Sequence, residues 1–334
     1  MTTETNRRPE QATEAVRLQP HSIESIQPGG GVVMALELAW GRLRRWYLRR
    51  FRPRYVEKML ARRQGVCPRC SHDIVDTRDL KYFRNVCGYF FAPQDDPFAW
   101  RDRLGLARAG LAEIVASTLL LTGCVASAVL FLPRVWAAVA VTLLAALWGF
   151  VLWFFRDPDR TVPQDPGVVV SPADGTVTHV DIGHEPGFAE APVLRISIFL
   201  SIFDVHVNRV PAKGRVVCLA YYPGRFGNAL SDTVSRTNEQ LWIDLQTPEG
   251  LHVRVKQIAG AIARRIVCWL RPGEEVEAGQ RFGMIKFGSR TDLLLPAQYY
   301  SAAVEPGQRV YGGTSVVARR HLTDSPTHTA AGAS

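Results

Sequence analysis

Two long apolar segments in the middle of the chain constrain its architecture most strongly. Residues 111–132 contain a single charged side chain, Glu113, and residues 135–155 contain none. Each segment is about 20 residues long, enough for a helix to cross a hydrocarbon layer of roughly 30 Å. Only a Pro-Arg pair separates them. The pattern predicts a transmembrane helical hairpin over 111–155. The alternative is a pair of helices buried in a protein core.

Arginine residues flank the predicted hairpin on both sides. Three precede it, one lies in its turn and two follow it: Arg101, Arg103, Arg108, Arg134, Arg156 and Arg160. Because positively charged residues next to membrane helices remain on the cytoplasmic side, both flanks are predicted to face the cytoplasm at the inner membrane. The start of the chain contains no apolar run, so a cleaved secretory signal is not expected.

The segment before the hairpin is rich in arginine and aromatic residues. Apolar side chains recur every three or four residues on one helical face, at Leu36, Trp40, Leu43, Tyr47 and Phe51. Arginines occupy the remaining positions, at Arg42, Arg44, Arg45, Arg49 and Arg50. With a net charge of +9 and a predicted membrane span, an anionic lipid surface is favoured over nucleic acid as the partner. The alternative is an ordinary solvated basic helix.

Composition divides the chain into five parts. Residues 1–30 are polar with Pro and Gly and are predicted to be disordered, as is the polar tail over 319–334. Residues 31–110 form a basic N-terminal extension, residues 111–155 the hairpin, and residues 156–318 a C-terminal domain.

Four potential metal ligands lie in the N-terminal extension, at Cys67, Cys70, His72 and Cys87. These residue types suit a small tetrahedral zinc site, and a C-x-x-C pair is also compatible with redox chemistry. No second C-x-x-C is present, and the single residue between Cys70 and His72 is an unusual ligand spacing. The alternatives are therefore a zinc site and a set of reduced cytosolic thiols.

From Arg156 onward the pattern changes to short runs rich in β-branched and aromatic residues. Such runs occur at 193–200, 215–222, 241–245 and 251–258, with Pro- and Gly-containing turns between them. They predict a mainly β (α+β) domain built of antiparallel sheets. The G-x-G-x-x-G, Walker and H-E-x-x-H motifs do not occur in this region.

Three segments of this domain carry side chains suited to proton transfer. Asp174 lies in SPADG, His206 lies in DVHVNRVP, and Ser289 follows Gly288 in FGSRT. Asp, His and Ser together can activate a serine nucleophile. However, Asp-Gly is also a common turn pair, and a histidine in a strand is usually structural. No G-x-S-x-G motif surrounds Ser289, which argues against an α/β-hydrolase.

Six motifs in series resemble the phosphatidylserine decarboxylase proenzyme family, in its short, membrane-anchored type. They are WFFRDPDR (153–160), SPADG (171–175), IFLSIFDVHVNRVP (198–211), NALSDTVSRTNEQ (228–240), GAIARRIVC (260–268) and GQRFGMIKFGSRTDLLLP (279–296). Each motif alone is weak, but six in consistent order are specific. The resemblance covers about residues 111–318, and the region before residue 100 lies outside it.

The resemblance implies that the protein cuts its own Gly288–Ser289 bond. Ser289 Oγ would attack the Gly288 carbonyl, an N-to-O acyl shift would give an ester, and β-elimination would leave a dehydroalanine that hydrolyses to a pyruvoyl group. The mature protein would be a heterodimer of chains 1–288 and 289–334. Gly288 suits this chemistry because a residue without Cβ tolerates strained backbone and close approach.

The resemblance also implies the reaction. The pyruvoyl group derived from Ser289 would form a Schiff base with the amine of phosphatidylserine and accept electrons during decarboxylation to phosphatidylethanolamine. No separate cofactor would be required for that step. The expected partners are phosphatidylserine, the membrane and the protein's own cleavage chains, with higher oligomers left open and no nucleic acid.

Residue roles are carried over from the family by position. Asp174 and His206 match the family's acid and histidine, so they would activate Ser289, with Asp174 fixing the tautomer of His206. The long type of the family has a second histidine where Arg209 stands here. Either His206 serves both cleavage and decarboxylation, or Arg209 binds the substrate phosphate or carboxylate. Other predicted substrate contacts are Asn238, Glu239 and Arg290.

Three other functions fit parts of the sequence. A pyridoxal-phosphate decarboxylase fits poorly, because the chain has only five lysines and lacks a βαβ pattern. A lipoyl- or biotinyl-like carrier is suggested by VEAGQRFGMI (276–285), which lacks a lysine at a hairpin tip. A catalytically inactive, membrane-bound scaffold of the same fold is the remaining alternative.

Overall fold

The computed structural model describes residues 20–24, 32–68, 72–185, 187–188, 191–229, 234–261, 265–286 and 288–321. The predicted disordered segments, 1–30 and 319–334, fall mostly outside these ranges, so their disorder stays a prediction.

Helices dominate the first half of the described chain. They are α1 (Val32–Phe51), α2 (Pro53–Arg62), α3 (Thr77–Phe83), α4 (Leu111–Phe131), α5 (Arg134–Phe154) and α6 (Val234–Thr237). Short 3-10 helices lie at Pro93–Asp95, Ala99–Leu104 and Arg108–Gly110. The amphipathic helix predicted from the 36–51 pattern is confirmed as α1.

Helices α4 and α5 form the predicted helical hairpin. Both are long and apolar enough to cross a membrane, with mean hydropathies of 2.2 and 2.3. Only 11% and 6% of their most apolar stretches are buried inside the protein, unlike helices of a protein core. A hydrogen bond of 2.9 Å from Trp148 Nε1 to Thr118 Oγ1 joins the two helices.

Strands build the second half of the described chain. They are β1 (Val168–Val170), β2 (Gly175–Gly183), β3 (Val193–Leu200), β4 (Val207–Arg209), β5 (Gly214–Tyr222), β6 (Gln240–Gln246), β7 (His252–Ala259), β8 (Arg265–Cys268), β9 (Glu275–Val276), β10 (Arg281–Lys286), β11 (Ser289–Pro296), β12 (Tyr300–Ala302), β13 (Arg309–Val310) and β14 (Val316–Arg320). They form an eight-stranded sheet in the order β13-β2-β3-β11-β7-β6-β5-β9 and two three-stranded sheets, β4-β10-β8 and β1-β14-β12.

The eight-stranded sheet contains the central strand of the domain. Strand β11 lies between β3 and β7 and is antiparallel to both, and all eight of its residues are buried. Its apolar side chains Leu293 and Leu295 join Ile196, Ile198 and Val255 in one core. The prediction of a mainly β domain with antiparallel sheets is therefore confirmed.

The base of the hairpin packs directly against the β domain. Phe154 and Phe155 share an apolar cluster with Val205, Val207 and Met284.

The one acidic residue of the first apolar segment, Glu113, also faces the β domain. It pairs with Lys286, and Arg265 Nη1 lies 3.1 Å from its Oε1. Because an unpaired carboxylate in apolar surroundings is costly, these two cations explain why the segment tolerates this charge.

The predicted zinc site finds no support in this structure. Cys70 lies outside the described residues, and no group of three His, Cys, Asp or Glu side chains elsewhere in the described chain is placed to hold a metal ion. The His72 ring stacks on Phe83 with centroids 3.8 Å apart, and Cys87 is buried with Ile74. Aromatic and apolar packing therefore accounts for the positions of His72 and Cys87.

Candidate active site

Several predicted functional residues lie at one end of the eight-stranded sheet, where its strands begin or finish. Strands β2 and β6 begin there, directly after Asp174 and Glu239, and β11 begins there with Ser289. Strands β3 and β7 end there, at Leu200 and Ala259, which are the register partners of Ser289. Since neighbouring strands run in opposite directions, strand starts and strand ends alternate along this end of the sheet. Residues far apart in sequence therefore lie close together there.

Strand β4 brings the histidine motif to the start of β11. Asn208 Nδ2 lies 3.5 Å from Thr291 Oγ1, and Asn208 Oδ1 accepts a hydrogen bond of 2.8 Å from Gln257 Nε2. His206 lies two residues before Asn208, and Ser289 lies two residues before Thr291. The structure therefore places these two motifs side by side.

The SPADG turn lies against the same strand. Arg209 N donates a hydrogen bond of 2.9 Å to the Pro172 carbonyl, and Asn208 Nδ2 lies 3.4 Å from the same oxygen. The three motifs predicted to hold Asp174, His206 and Ser289 are thus neighbours in the fold.

Ser289 combines a buried hydroxyl group with a neighbouring glycine in the left-handed conformation. Its side chain is fully buried, and Oγ has no hydrogen-bond partner among the described residues. Gly288 has φ of +63°, in the left-handed region that favours glycine. A Cβ on Gly260 would lie 2.2 Å from the Gly288 carbonyl oxygen, so only glycine at position 260 leaves room for that carbonyl.

His206 is held as a neutral base. Its Nδ1 lies 2.8 Å from the main-chain carbonyl of Asp204; because a carbonyl only accepts, Nδ1 carries the proton and Nε2 keeps its lone pair. Nε2 is buried and has no partner in the described chain. The ring packs on Phe154, with centroids 4.3 Å apart. Burial lowers the pKa of His206 to about 4, so the ring is neutral at pH 7.

Asp204 is a site residue that sequence reasoning missed. Its buried carboxylate pairs with Arg309 of β13 and accepts a hydrogen bond of 2.8 Å from Ser201 N. Its main-chain carbonyl, not Asp174, sets the tautomer of His206. The one available signal was its position two residues before that histidine.

Asp174 faces other partners than the predicted ones. Oδ1 accepts a hydrogen bond of 2.7 Å from Gly312 N, and Oδ2 accepts one of 2.6 Å from Arg160 Nη2. Burial raises the pKa of Asp174 despite these partners. Asp174 thus binds Gly312 and Arg160, and the tautomer of His206 is fixed by the Asp204 carbonyl and not, as the sequence had led us to expect, by Asp174.

Arg209 lies in an internal ion pair. Nη2 is 3.0 Å from Asp157 Oδ1, and the guanidinium also donates to the carbonyls of Gly279 and Pro158. Arg281 pairs with the second oxygen of the same aspartate at 2.6 Å. These buried contacts occupy the fork that was predicted to bind substrate, so a role in the fold explains Arg209 better.

Arg290 is also enclosed by the fold. It is 1% exposed, pairs with Asp292 at 2.6 Å and donates to Ser197 Oγ at 2.8 Å. We therefore expect it to stabilise the centre of the sheet and not to contact substrate.

Asn238 and Glu239 lie at the site edge in different ways. Asn238 is fixed by hydrogen bonds to Gly227 and to the Ala259 carbonyl, the latter at 2.7 Å. Glu239 is buried beside Tyr221, and burial raises the pKa of its carboxyl group. Asn238 therefore holds the backbone at this end of the sheet, while Glu239 is the one of the two that carries a titratable group.

Known proteins resemble the chain over this same region. A sequence model described as phosphatidylserine decarboxylase matches residues 147–318. A phosphatidylserine decarboxylase proenzyme of Rhodopirellula baltica is 44% identical over 247 residues, covering 72% of this chain and 98% of that protein.

Two further relatives carry the same name. The proenzyme of Symbiobacterium thermophilum is 50% identical over 195 residues, covering 58% of this chain and 89% of its own length. That of Saccharopolyspora erythraea is 46% identical over 196 residues, covering 58% and 82%. The motifs, the antiparallel fold and these matches agree, and the chain belongs to the phosphatidylserine decarboxylase family.

Proposed function

We propose that this chain is a proenzyme that cuts itself between Gly288 and Ser289 and then decarboxylates phosphatidylserine. The observation that carries the proposal is the pair of buried, unpartnered atoms Ser289 Oγ and His206 Nε2 on adjacent motifs. Buried polar atoms normally have hydrogen-bond partners. An unpartnered hydroxyl group and an unpartnered imidazole nitrogen on adjacent motifs therefore support a reactive site there.

His206 acts as the base for the first step. A serine hydroxyl is a weak nucleophile that needs a base to remove its proton. His206 Nε2 takes the proton from Ser289 Oγ, which attacks the Gly288 carbonyl carbon. The carbon–nitrogen bond breaks, the nitrogen receives the proton, and an ester joins Gly288 to the Ser289 side chain.

The ester is then resolved by elimination. His206, neutral again once the nitrogen has received its proton, takes the Ser289 α-proton. The Cβ–O bond breaks, and Gly288 leaves as a carboxylate, the new end of chain 1–288. Water replaces the nitrogen of the remaining dehydroalanine, and ammonia leaves. Both chains stay associated, because β11 of the new chain lies between β3 and β7 of the other.

The site fits the pyruvoyl group that the family uses. The group would occupy the position of Ser289, at the start of β11 and next to the motif that holds His206. Its carbonyl would supply an electron sink for the loss of CO₂ from an amine substrate. The product carbon gains one proton after CO₂ is lost, and the proposed sources of that proton are His206 and the carboxyl group of Glu239, whose pKa is raised by burial.

Asp174 retains a proposed part in self-cleavage. It binds Gly312, which belongs to the small chain, and Arg160, which precedes β1 on the large chain. We infer that Asp174 holds the two chains in register around Ser289.

We propose that the hairpin anchors this site at a membrane. Phe154, the last residue of α5, packs on His206, so the proposed base lies at the foot of the hairpin. A lipid headgroup would then reach the site without leaving the bilayer surface. Arginines on both flanks of the hairpin favour the cytoplasmic side of the inner membrane.

Reductive trapping tests the proposal. Purified protein in nanodiscs containing phosphatidylserine is treated with cyanoborohydride, and the chains are analysed by mass spectrometry. The proposal predicts that the lipid amine becomes attached to the chain that begins at position 289, and that Ser289→Ala stays uncut and traps no lipid. A pyridoxyl group reduced onto a lysine of the wild-type protein, with no lipid on the chain that begins at position 289, would instead indicate a pyridoxal-phosphate mechanism.

A further inference from the structure

Helix α1 is amphipathic, but the face it turns toward the protein is the polar one. Arg44 binds Asp76 through two hydrogen bonds of 2.7 and 2.9 Å and binds Asp79 at 2.8 Å. Arg45 Nη1 lies 2.9 Å from Asp79 as well. Both aspartates are buried, and Tyr55 also donates to Asp76 at 3.0 Å. The helix is therefore docked by ion pairs.

The apolar face of α1 points away from the protein. Its six large side chains are between 47% and 65% exposed: Leu36, Trp40, Leu43, Trp46, Tyr47 and Phe51. We call this set the α1 stripe. Burial of such side chains stabilises a fold, so a folded helix that exposes all of them while turning Arg44 and Arg45 toward buried aspartates is suited to an apolar surface outside the protein.

The segment that binds α1, which holds Asp76 and Asp79, is hydrogen-bonded to the residues just before the hairpin. Asp96 accepts a hydrogen bond of 2.6 Å from Thr77, the residue after Asp76, and one of 2.9 Å from Arg108. Arg108 stands three residues before α4. The carboxylate of Asp96 thus links the segment that binds α1 to the start of the hairpin.

We propose that the α1 stripe lies in the lipid interface as a second, peripheral membrane contact beside the hairpin. Trp and Tyr rings favour the headgroup level of a bilayer. Exposed Arg42 and Arg50 border the stripe and would attract anionic lipids. The arginines docked to aspartates are not available for that purpose, so the lipid contact is mainly apolar. This inference rests on the proposed membrane hairpin.

Photo-cross-linking in nanodiscs tests the proposal with the full chain. Discs of phosphatidylcholine and phosphatidylglycerol carry a phospholipid with a diazirine near the headgroup, and cross-linked peptides are mapped by mass spectrometry. We expect lipid cross-links on Trp40, Leu43 and Tyr47 and on α4. In Leu43→Glu/Tyr47→Glu the α1 cross-links should fall at least tenfold while those on α4 persist. Val66→Glu, which changes an exposed apolar residue outside the stripe, should leave both unchanged.

The outcomes separate this inference from the proposed function. Lipid cross-links on α4 without any on α1 would overturn the inference and leave the hairpin intact. Cross-links from α1 to a second copy, or to another segment of the chain, would also overturn it. Absence of lipid cross-links from both α1 and α4 in the wild-type protein would contradict the proposed membrane hairpin itself. Cleavage into two chains, followed by gel electrophoresis of the same samples, should be unchanged in all variants. It reports that each variant folds.

Discussion

The main-chain carbonyl of Asp204 accepts a hydrogen bond of 2.8 Å from His206, while the carboxylate of Asp204 pairs with Arg309. Asp204 belongs to the part of the chain before the proposed cut, and Arg309 belongs to the part after it. One residue therefore holds the proposed base and links the two future chains. We expect this link to position His206 before and after cleavage.

Removing the ion pair should slow self-cleavage while leaving the carbonyl that orients His206. We expect Asp204→Asn and Arg309→Gln each to slow cleavage by about tenfold to a hundredfold, because small misplacements of a catalytic group carry costs of that order. Pulse-labelling and gel analysis measure the rate. Arg309→Lys should retain more activity than Arg309→Gln.

Arg320→Gln is the matched control, since Arg320 lies in the same part of the chain and pairs with Glu249, whose side chain is 47% exposed whereas that of Asp204 is 1% exposed. Wild-type rates in both Asp204→Asn and Arg309→Gln would remove the positioning role.

Self-cleavage should depend little on pH above about 5. An ordinary histidine has a pKa near 6.5, but burial lowers the pKa of His206 to about 4. The neutral, proton-accepting form exists above the pKa, so it stays populated as pH falls from 8 and is lost only toward pH 4. Cell-free synthesis into nanodiscs at several pH values measures the rate. A midpoint near 6.5 would contradict this assignment, and circular dichroism of uncut Ser289→Ala identifies acid unfolding separately.

Gly260→Ala should block self-cleavage by displacing the Gly288 carbonyl. The added Cβ would lie 2.2 Å from that oxygen, a distance at which one of the two backbone segments must move. Gly183→Ala is the matched control, because a Cβ there meets nothing within 4 Å and Gly183 ends β2 at the opposite end of that strand. Equal cleavage rates in both variants, measured by gel, would show that the close approach of Gly260 is unimportant.

Arg209→Ala should impair cleavage and decarboxylation together. Removing one member of a buried ion pair costs about 3 kcal/mol, and Asp157 would keep only Arg281. In the uncut Ser289→Ala background the same change should lower Tm, whereas Lys213→Ala, which breaks an exposed pair, should not. Normal cleavage and Tm with lost decarboxylation would restore the substrate-binding role predicted for Arg209.

The sequence allowed prediction of elements whose signal is local. Alternating β-branched residues indicated β3 and β7, and helical spacing of apolar residues indicated α1. The neighbouring placement of the motifs of Asp174, His206 and Ser289 followed from the family resemblance, not from local pattern, because strand register joins residues far apart in sequence.

Partners of charged side chains could not be predicted in this way. Asp157 lies 52 residues from Arg209, and Glu113 lies 173 residues from Lys286. An exposed arginine and a buried, paired arginine look identical in sequence, which is why Arg209 and Arg290 were expected at the substrate. The docking of α1 by its polar face was unpredictable for the same reason.

The most direct test of the account is the intact mass of the purified protein. The account predicts two chains, 1–288 and 289–334, with the smaller one lighter by one ammonia than a peptide beginning with serine, and resistant to Edman sequencing. Ser289→Ala should give one full-length, inactive chain. An uncut wild-type protein that still decarboxylates phosphatidylserine would contradict the account.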